Sequence, residues 1–210
     1  MEAHSLEAHF WRRMARPVEF DRAEALEAAM RLFWAQGYMA TSLSELLVAM
    51  GVGRSSFYAA FGSKRSVFVE ALGLFSTRTS QMLMGSRESA ADLAAISDFF
   101  CKTLLDAPSR RVIRGCLMVN TVLEMAEVDE ELSAIAADGL AQVERLFERC
   151  FEKAQGSGEY PGQRSASDLA AHVMVLNQGL RVASRKRVQR ADLKKSVETG
   201  LSLLGLPTTH

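Results

Sequence analysis

Apolar positions recur at helical spacing along almost the whole chain, and strand-like alternation is nearly absent. In residues 21–36, Ala25, Ala29, Leu32 and Phe33 fall on one stripe. Asp21 stands where an N-cap belongs, with Glu24 three residues on, and Gly37 ends the segment. A second helix is predicted from Ser42, again with a glutamate (Glu45) at capping-box spacing, and Leu43, Leu46, Leu47 and Met50 form its inner face. After Gly51-Val52-Gly53 comes a third short helix with Phe57 and Phe61 inward. Gly62-Ser63-Lys64 breaks and restarts the chain. A fourth helix follows from about residue 64 to 84, with Val67, Phe68, Ala71, Leu72 and Phe75 on its apolar stripe.

Further helices are predicted over about 89–106, 114–126, 129–155, 165–187 and 190–204. Pro108 and the loop from Gly156 to Gly162 punctuate them. The expected fold is therefore all-α. Short capped helices give way near residue 65 to longer ones rich in Met, Leu and Ala. This divides the chain into an N-terminal extension (1–18), a three-helix unit (19–64) and a helical bundle (65–210).

Two short helices either side of a glycine turn have the layout of a helix-turn-helix. A helix that enters a DNA major groove, about 12 Å wide, needs small or polar side chains on its exposed face. Ser55, Ser56, Ala59 and Ala60 meet that need. Arg54, at the start of the third helix, can reach a guanine edge or a phosphate, and Tyr58 can donate its hydroxyl to a phosphate oxygen one turn later. Thr41 and Ser42 open the second helix, where free amides and the helix dipole favour phosphate, and Lys64 repeats that arrangement at the fourth.

The ordered pattern Ala28, Leu32-Phe33, Gly37-Tyr38, Ala40-Thr41-Ser42, Leu46, Gly51-Val52, Ser56-Phe57-Tyr58, Phe61, Ser63-Lys64 resembles the N-terminal domain of TetR-family transcriptional regulators. It covers about a quarter of the chain. The resemblance implies a homodimeric regulator, usually a repressor, released from a pseudo-palindromic operator by a small-molecule inducer. Carried over by position, the DNA contacts are Thr41, Ser42, Ser44, Arg54, Ser55, Tyr58 and Lys64. The family often has a bulky or polar residue where Ala59 and Ala60 stand, which shifts base readout toward Arg54 and Ser44.

Composition changes this picture little. Lys plus Arg equals Asp plus Glu at 25 each, so any attraction for phosphate must be local. Arg12, Arg13, Arg16, Arg54, Lys64 and Arg65 lie in or beside the unit. The three arginines before residue 17 read either as a minor-groove arm or as a solvated tail. No apolar run is long enough to span a bilayer, and the first twenty residues lack the apolar core and cleavage site of a secretory leader, so a cytoplasmic location is expected. Three cysteines without CxxC spacing, and four scattered histidines, argue against a disulfide framework or a metal site. No nucleophile–base arrangement or phosphate loop stands out, so neither catalysis nor a cofactor is expected. A small-molecule-binding or enzymatic bundle carrying a vestigial DNA module is the alternative from another class.

In the bundle, Phe99, Cys116, Asn120, Glu124 and Phe147 are the candidates for an inducer pocket, with Asn120 and Glu124 on one helical face. Cys116 opens an apolar helix beside Arg110, Arg111 and Arg114. This reads either as a thiol activated by a helix N-terminus and cations, or as a small buried apolar residue. Gly115-Cys116-Leu117 is similar to a subgroup of the family in which some members sense oxidants or electrophiles. The basic stretch Arg181, Arg185, Lys186, Arg187, Arg190, Lys194 and Lys195 reads as a solvated face. Leu169, Val173, Leu176, Leu180, Val197, Leu201 and Leu204 on the last two helices suit a two-fold four-helix interface.

Overall fold

A computed structural model describes residues 20–89, 92–186 and 188–208, with the backbone alone for 86–89. The described residues form helices and connecting turns without a strand, and the chain is all-α. Arg12, Arg13 and Arg16 lie outside the described residues.

The first three helices are α1 (Arg22–Gln36), α2 (Leu43–Met50) and α3 (Arg54–Phe61). Asp21 caps α1 through the Ala23 and Glu24 amides at 2.7 and 3.0 Å, without a reciprocal bond from Glu24. The full capping box forms at α2, where Ser42 and Glu45 satisfy each other's backbone. Gly51 closes α2 in the left-handed region at φ +65°, a conformation that disfavours any residue with a Cβ. Buried Phe57 and Phe61 seat α3 on the unit's core, each contributing about 2–3 kcal/mol by apolar burial.

α4 (Lys64–Ser89) begins with Ser63, whose hydroxyl accepts the Ser66 amide. It runs without a break from the three-helix unit into the bundle. Its Phe68 ring meets Phe33 edge-on at 4.8 Å, and Phe75 meets Trp34 at 4.9 Å. Next come α5 (Asp92–Phe100), a π-turn over Cys101–Leu105, and the short α6 (Ser109–Ile113). α7 (Leu117–Met125) and the long α8 (Glu130–Ser157) follow, then α9 (Ala166–Arg185) and α10 (Arg190–Leu203).

α8 lies at the centre of the bundle, packed against α4, α5, α7 and α9. Gly139 permits this close crossing, since a Cβ there would stand 2.6 Å from Met118 Sδ and 3.2 Å from Ser76 Oγ.

The last two helices pack inward with most of the residues expected at an intersubunit interface. Leu169, Val173, Leu180, Val197 and Leu201 are buried within the protomer, with Leu176 and Leu204 half-buried. A single apolar stripe on each helix is consumed by the protomer's own core. The apolar residues left on the outer surface are others: Val175 (65% exposed), Val182 and Leu203 (82% exposed).

Candidate DNA-binding surface and effector pocket

α3 presents Arg54, Ser55, Tyr58 and Ala59 to solvent while Phe57 and Phe61 face inward. The Phe57 ring braces Tyr58 edge-on at 5.5 Å. Arg22 ties the end of this helix to α4: its guanidinium lies 4.5 Å from the Phe61 ring centre and donates to Glu70 at 2.8 Å. The recognition helix is thus held on a stiff base and offers a narrow polar face. Ser42 and Ser44 are exposed at the start of α2. Lys64 is half-buried, its ammonium 4.3 Å from the Tyr38 ring centre. Burial lowers its pKa, opposed by the Glu124 carboxylate.

Thr41 departs from the expected set. It is 1% exposed, and its hydroxyl donates to the Gly37 carbonyl at 2.6 Å, so the side chain closes the α1–α2 turn and does not reach outward. Arg65 also turns away from the DNA side. It bridges Asp129 and Glu131 at 3.2 and 2.8 Å, joining the start of α4 to the start of α8.

Two adjoining cavities, which share a wall, lie in the bundle behind α1. The inner one, about 20 Å3, is walled by residues including Phe99, Thr103, Cys116, Met118, Asn177 and Arg181. Trp34, Phe75, Thr79, Met82 and Arg111 separate it from an open groove of about 710 Å3. The groove runs between α1, α4 and α6. In the wall of the inner cavity Trp34 Nε1 donates to the Gly115 carbonyl at 3.3 Å. A residue of the helix-turn-helix unit therefore forms part of the wall of both spaces.

Of the residues expected at a pocket, Phe99 and Cys116 line the inner cavity. Phe147 does not; it is fully buried behind them, its ring 5.5 Å from Phe99. Asn120 and Glu124 do not reach this space; they line a separate open groove of about 560 Å3 on the other side of Trp34. Asn120 donates to the Arg114 carbonyl, capping α6. The Glu124 carboxylate accepts the Tyr38 and Met39 amides, because α7 lies directly beneath the α1–α2 turn.

Cys116 is 6% exposed, and burial pushes its thiol pKa up, outweighing Arg181 and the Val119 and Met118 amides. Of the two readings of Cys116, this environment favours the small buried residue over the activated thiol, because desolvation of the thiolate exceeds what nearby cations return. Arg181, read from sequence as solvated, is 8% exposed. Its Nε donates to Asn177 Oδ1 at 3.2 Å and its Nη1 to the Thr103 carbonyl at 3.1 Å, at the π-turn. The signal missed was its spacing: Asn177 and Arg181 lie one turn apart and follow the same buried face as Val173 and Leu180.

This fold and surface define a helix-turn-helix regulator with an internal cavity. Residues 25–71 match the family model for bacterial regulatory proteins of the tetR family, and residues 92–198 match that of the tetracyclin repressor-like C-terminal domain. The chain belongs to the TetR family of transcriptional regulators. It is 29% identical over 196 residues to the HTH-type transcriptional repressor ComR of Escherichia coli, covering 90% of both chains. A cysteine mutant of the TetR-family regulator CifR, solved with 26-base-pair operator DNA, is 30% identical with a TM-score of 0.74, covering 89% of this chain and 98% of that one. The reduced form of Escherichia coli NemR shares the fold, with a TM-score of 0.77 at 20% identity over 90% of this chain.

Proposed function

We propose that this regulator is a repressor that binds a pseudo-palindromic operator as a homodimer and is released by a small molecule entering behind α1. In this reading α3 occupies the major groove, with Arg54, Ser55 and Tyr58 as its polar reach. Ser42, Ser44 and Lys64 hold phosphate. The exposed Val175, Val182 and Leu203 mark the outer face of α9 and α10 as the dimer surface. Residues 19–64 read DNA and residues 65–210 carry the dimer and effector functions.

One observation carries the effector part of this reading: the Trp34–Gly115 hydrogen bond. An effector that fills the inner cavity has to displace the Trp34 side chain, and Trp34 belongs to α1 of the reading unit. Release then follows if the effector binds the displaced arrangement more tightly than the DNA-bound one. Fluorescence anisotropy with the DNA upstream of the protein's own coding region tests the reading. Wild-type binding should weaken with salt, and Arg54→Ala and Tyr58→Phe should each reduce it. Undiminished binding by both variants rules the DNA-reading assignment out.

A second reading makes Cys116 a thiol sensor. Its place in the cavity wall supports this, since a reactive ligand lodged there meets the sulfur directly. Its raised pKa confines such chemistry to compounds that bind first. Release of DNA by an electrophile in a Cys116→Ser variant removes this reading.

A further inference from the structure

Arg181 is a buried cation that, among the described residues, has no carboxylate beside it. A guanidinium stays protonated at neutral pH, and burying one is costly unless a carboxylate or other anion offsets it. Its bonds go to a side-chain amide and a backbone carbonyl, both neutral, and among the described residues no partner is seen for Nη2. The neighbouring ionisable groups that bear on it are the Cys116 thiol, which favours the cation but is itself held neutral by burial, and then Arg111, which is repulsive. Among the described residues no carboxylate pairs with Arg181. The guanidinium lines the inner cavity, against the Phe99 ring at 5.9 Å.

The approach to this cation is positive as well. The outer groove is lined by Arg31, Arg78, Arg110, Arg111 and Arg114 against a single carboxylate, Glu27. Glu27 is already engaged by Arg78 at 3.0 Å and Arg31 at 3.4 Å. Among the described residues Arg110, Arg111 and Arg114 form no ion pair. Between these arginines and Arg181 the wall is mainly apolar and aromatic, with Trp34, Phe75, Met82 and Phe99, and Thr79 as a polar member. A positive rim, an apolar passage and a buried cation at its end fit a molecule with an anionic head and an apolar body.

We infer that the effector is an organic anion, a carboxylate or similar acid on an apolar or aromatic body, whose head pairs with Arg181 while its body lies against Trp34 and Phe75. This rests on the reading of the cavity as the effector site. The inner space holds about one water, so the head enters only as Trp34 and Met82 move aside. The outer groove has ample room for the body. Charge neutralisation at Arg181 thereby drives the Trp34 displacement: the ion pair is available only in the opened arrangement, so binding energy favours that arrangement over the closed one.

The test uses matched pairs of acids and their primary amides: benzoate, 2-naphthoate, 4-phenylbutyrate and octanoate, each against the corresponding amide. Affinity is read by isothermal titration calorimetry on the full-length protein, and operator release by anisotropy in parallel. At least one acid should bind, and roughly 10- to 100-fold more tightly than its amide, the range for adding a charge-assisted hydrogen bond. Arg181→Met should abolish the preference and Arg181→Lys retain it. Arg111→Gln, at an exposed position, should weaken the acid and reduce its salt dependence. Absence of binding by every acid, amides binding as tightly as acids, or a preference surviving in Arg181→Met overturns the inference. If an acid binds with the predicted preference but the operator is not released, the anion site stands and the release reading fails. If a neutral compound alone releases DNA, release stands and the anion assignment fails.

Discussion

The carboxylate of Glu124, on α7, accepts the backbone amide of Met39 at 2.8 Å, so the bundle holds the turn that leads into α2. The neighbouring Tyr38 amide donates to the same carboxylate at 3.1 Å. Gly37 completes the arrangement. Its φ is +89°, and a Cβ there would stand 2.8 Å from Glu124 Oε2. Glu124→Ala should lower stability by about 1.5 kcal/mol, the range for hydrogen bonds to a charged group, as measured by urea denaturation. Gly37→Ala should weaken the same clamp from the other side by strain and contact. Operator affinity should change in both variants, since the turn positions Ser42 and Ser44.

Arg54→Ala should cost about 1–3 kcal/mol of operator binding and should relax preference at the base pair it meets. Thr41→Val should behave differently. Its hydroxyl is committed to Gly37, so the variant should lose about 1 kcal/mol of stability while the folded protein binds operator as before. Competition assays with a fixed fraction of active protein separate the two effects.

Asp129 joins the domains through Arg65 and caps α8. The Leu132 amide and then Arg65 hold its carboxyl below the ordinary carboxylate range. A group whose folded pKa is depressed stabilises above its unfolded pKa, and that contribution is lost as pH falls through the folded value. Melting temperature should therefore vary little with this group from pH 7 to about 5 and fall below about pH 4. Asp129→Asn should remove the acid-sensitive part, leaving a lower but flatter profile. An identical acid limb in the variant contradicts this account.

All three cysteines are buried. The Cys116 thiol pKa lies above the usual range, so at pH 7 the thiolate is less than about 3% of the sulfur, the fraction expected of a free thiol. Ellman's reagent should label none of Cys101, Cys116 and Cys150 within minutes in the folded protein, and all three in guanidinium chloride. Raising the pH to 9 should speed the folded-state reaction at Cys116 only slightly.

The helix-turn-helix was readable because its determinants are local. The Ser42–Glu45 box, the Gly51 turn and the Phe57–Phe61 spacing each lie within one or two helical turns, and the structure places them as the periodicity requires. The cavity was less readable because its key groups are set by packing between distant segments. Phe99 and Cys116 reached it, while Glu124 was diverted to Tyr38 and Met39, and Phe147 to the core. Arg181 looked like one more basic residue in a charged stretch. Its burial depends on Asn177 on its own helix and on the Thr103 carbonyl, 78 positions away. Thr41 shows the same limit on a small scale: its helix-opening position was visible, but its inward rotamer was not.

The unbroken course of α4 has a mechanical consequence. A helix of 26 residues is about 39 Å long at 1.5 Å per residue. Tilting such a rod by about 5° about its bundle end carries the other end through roughly 3.4 Å, the rise of one base pair. An adjustment at the cavity small enough for side chains to absorb is thus enlarged, at the far end of the helix, to a whole step of the duplex, and in the proposed dimer two such ends moved in opposite senses would lose register with two fixed half-sites.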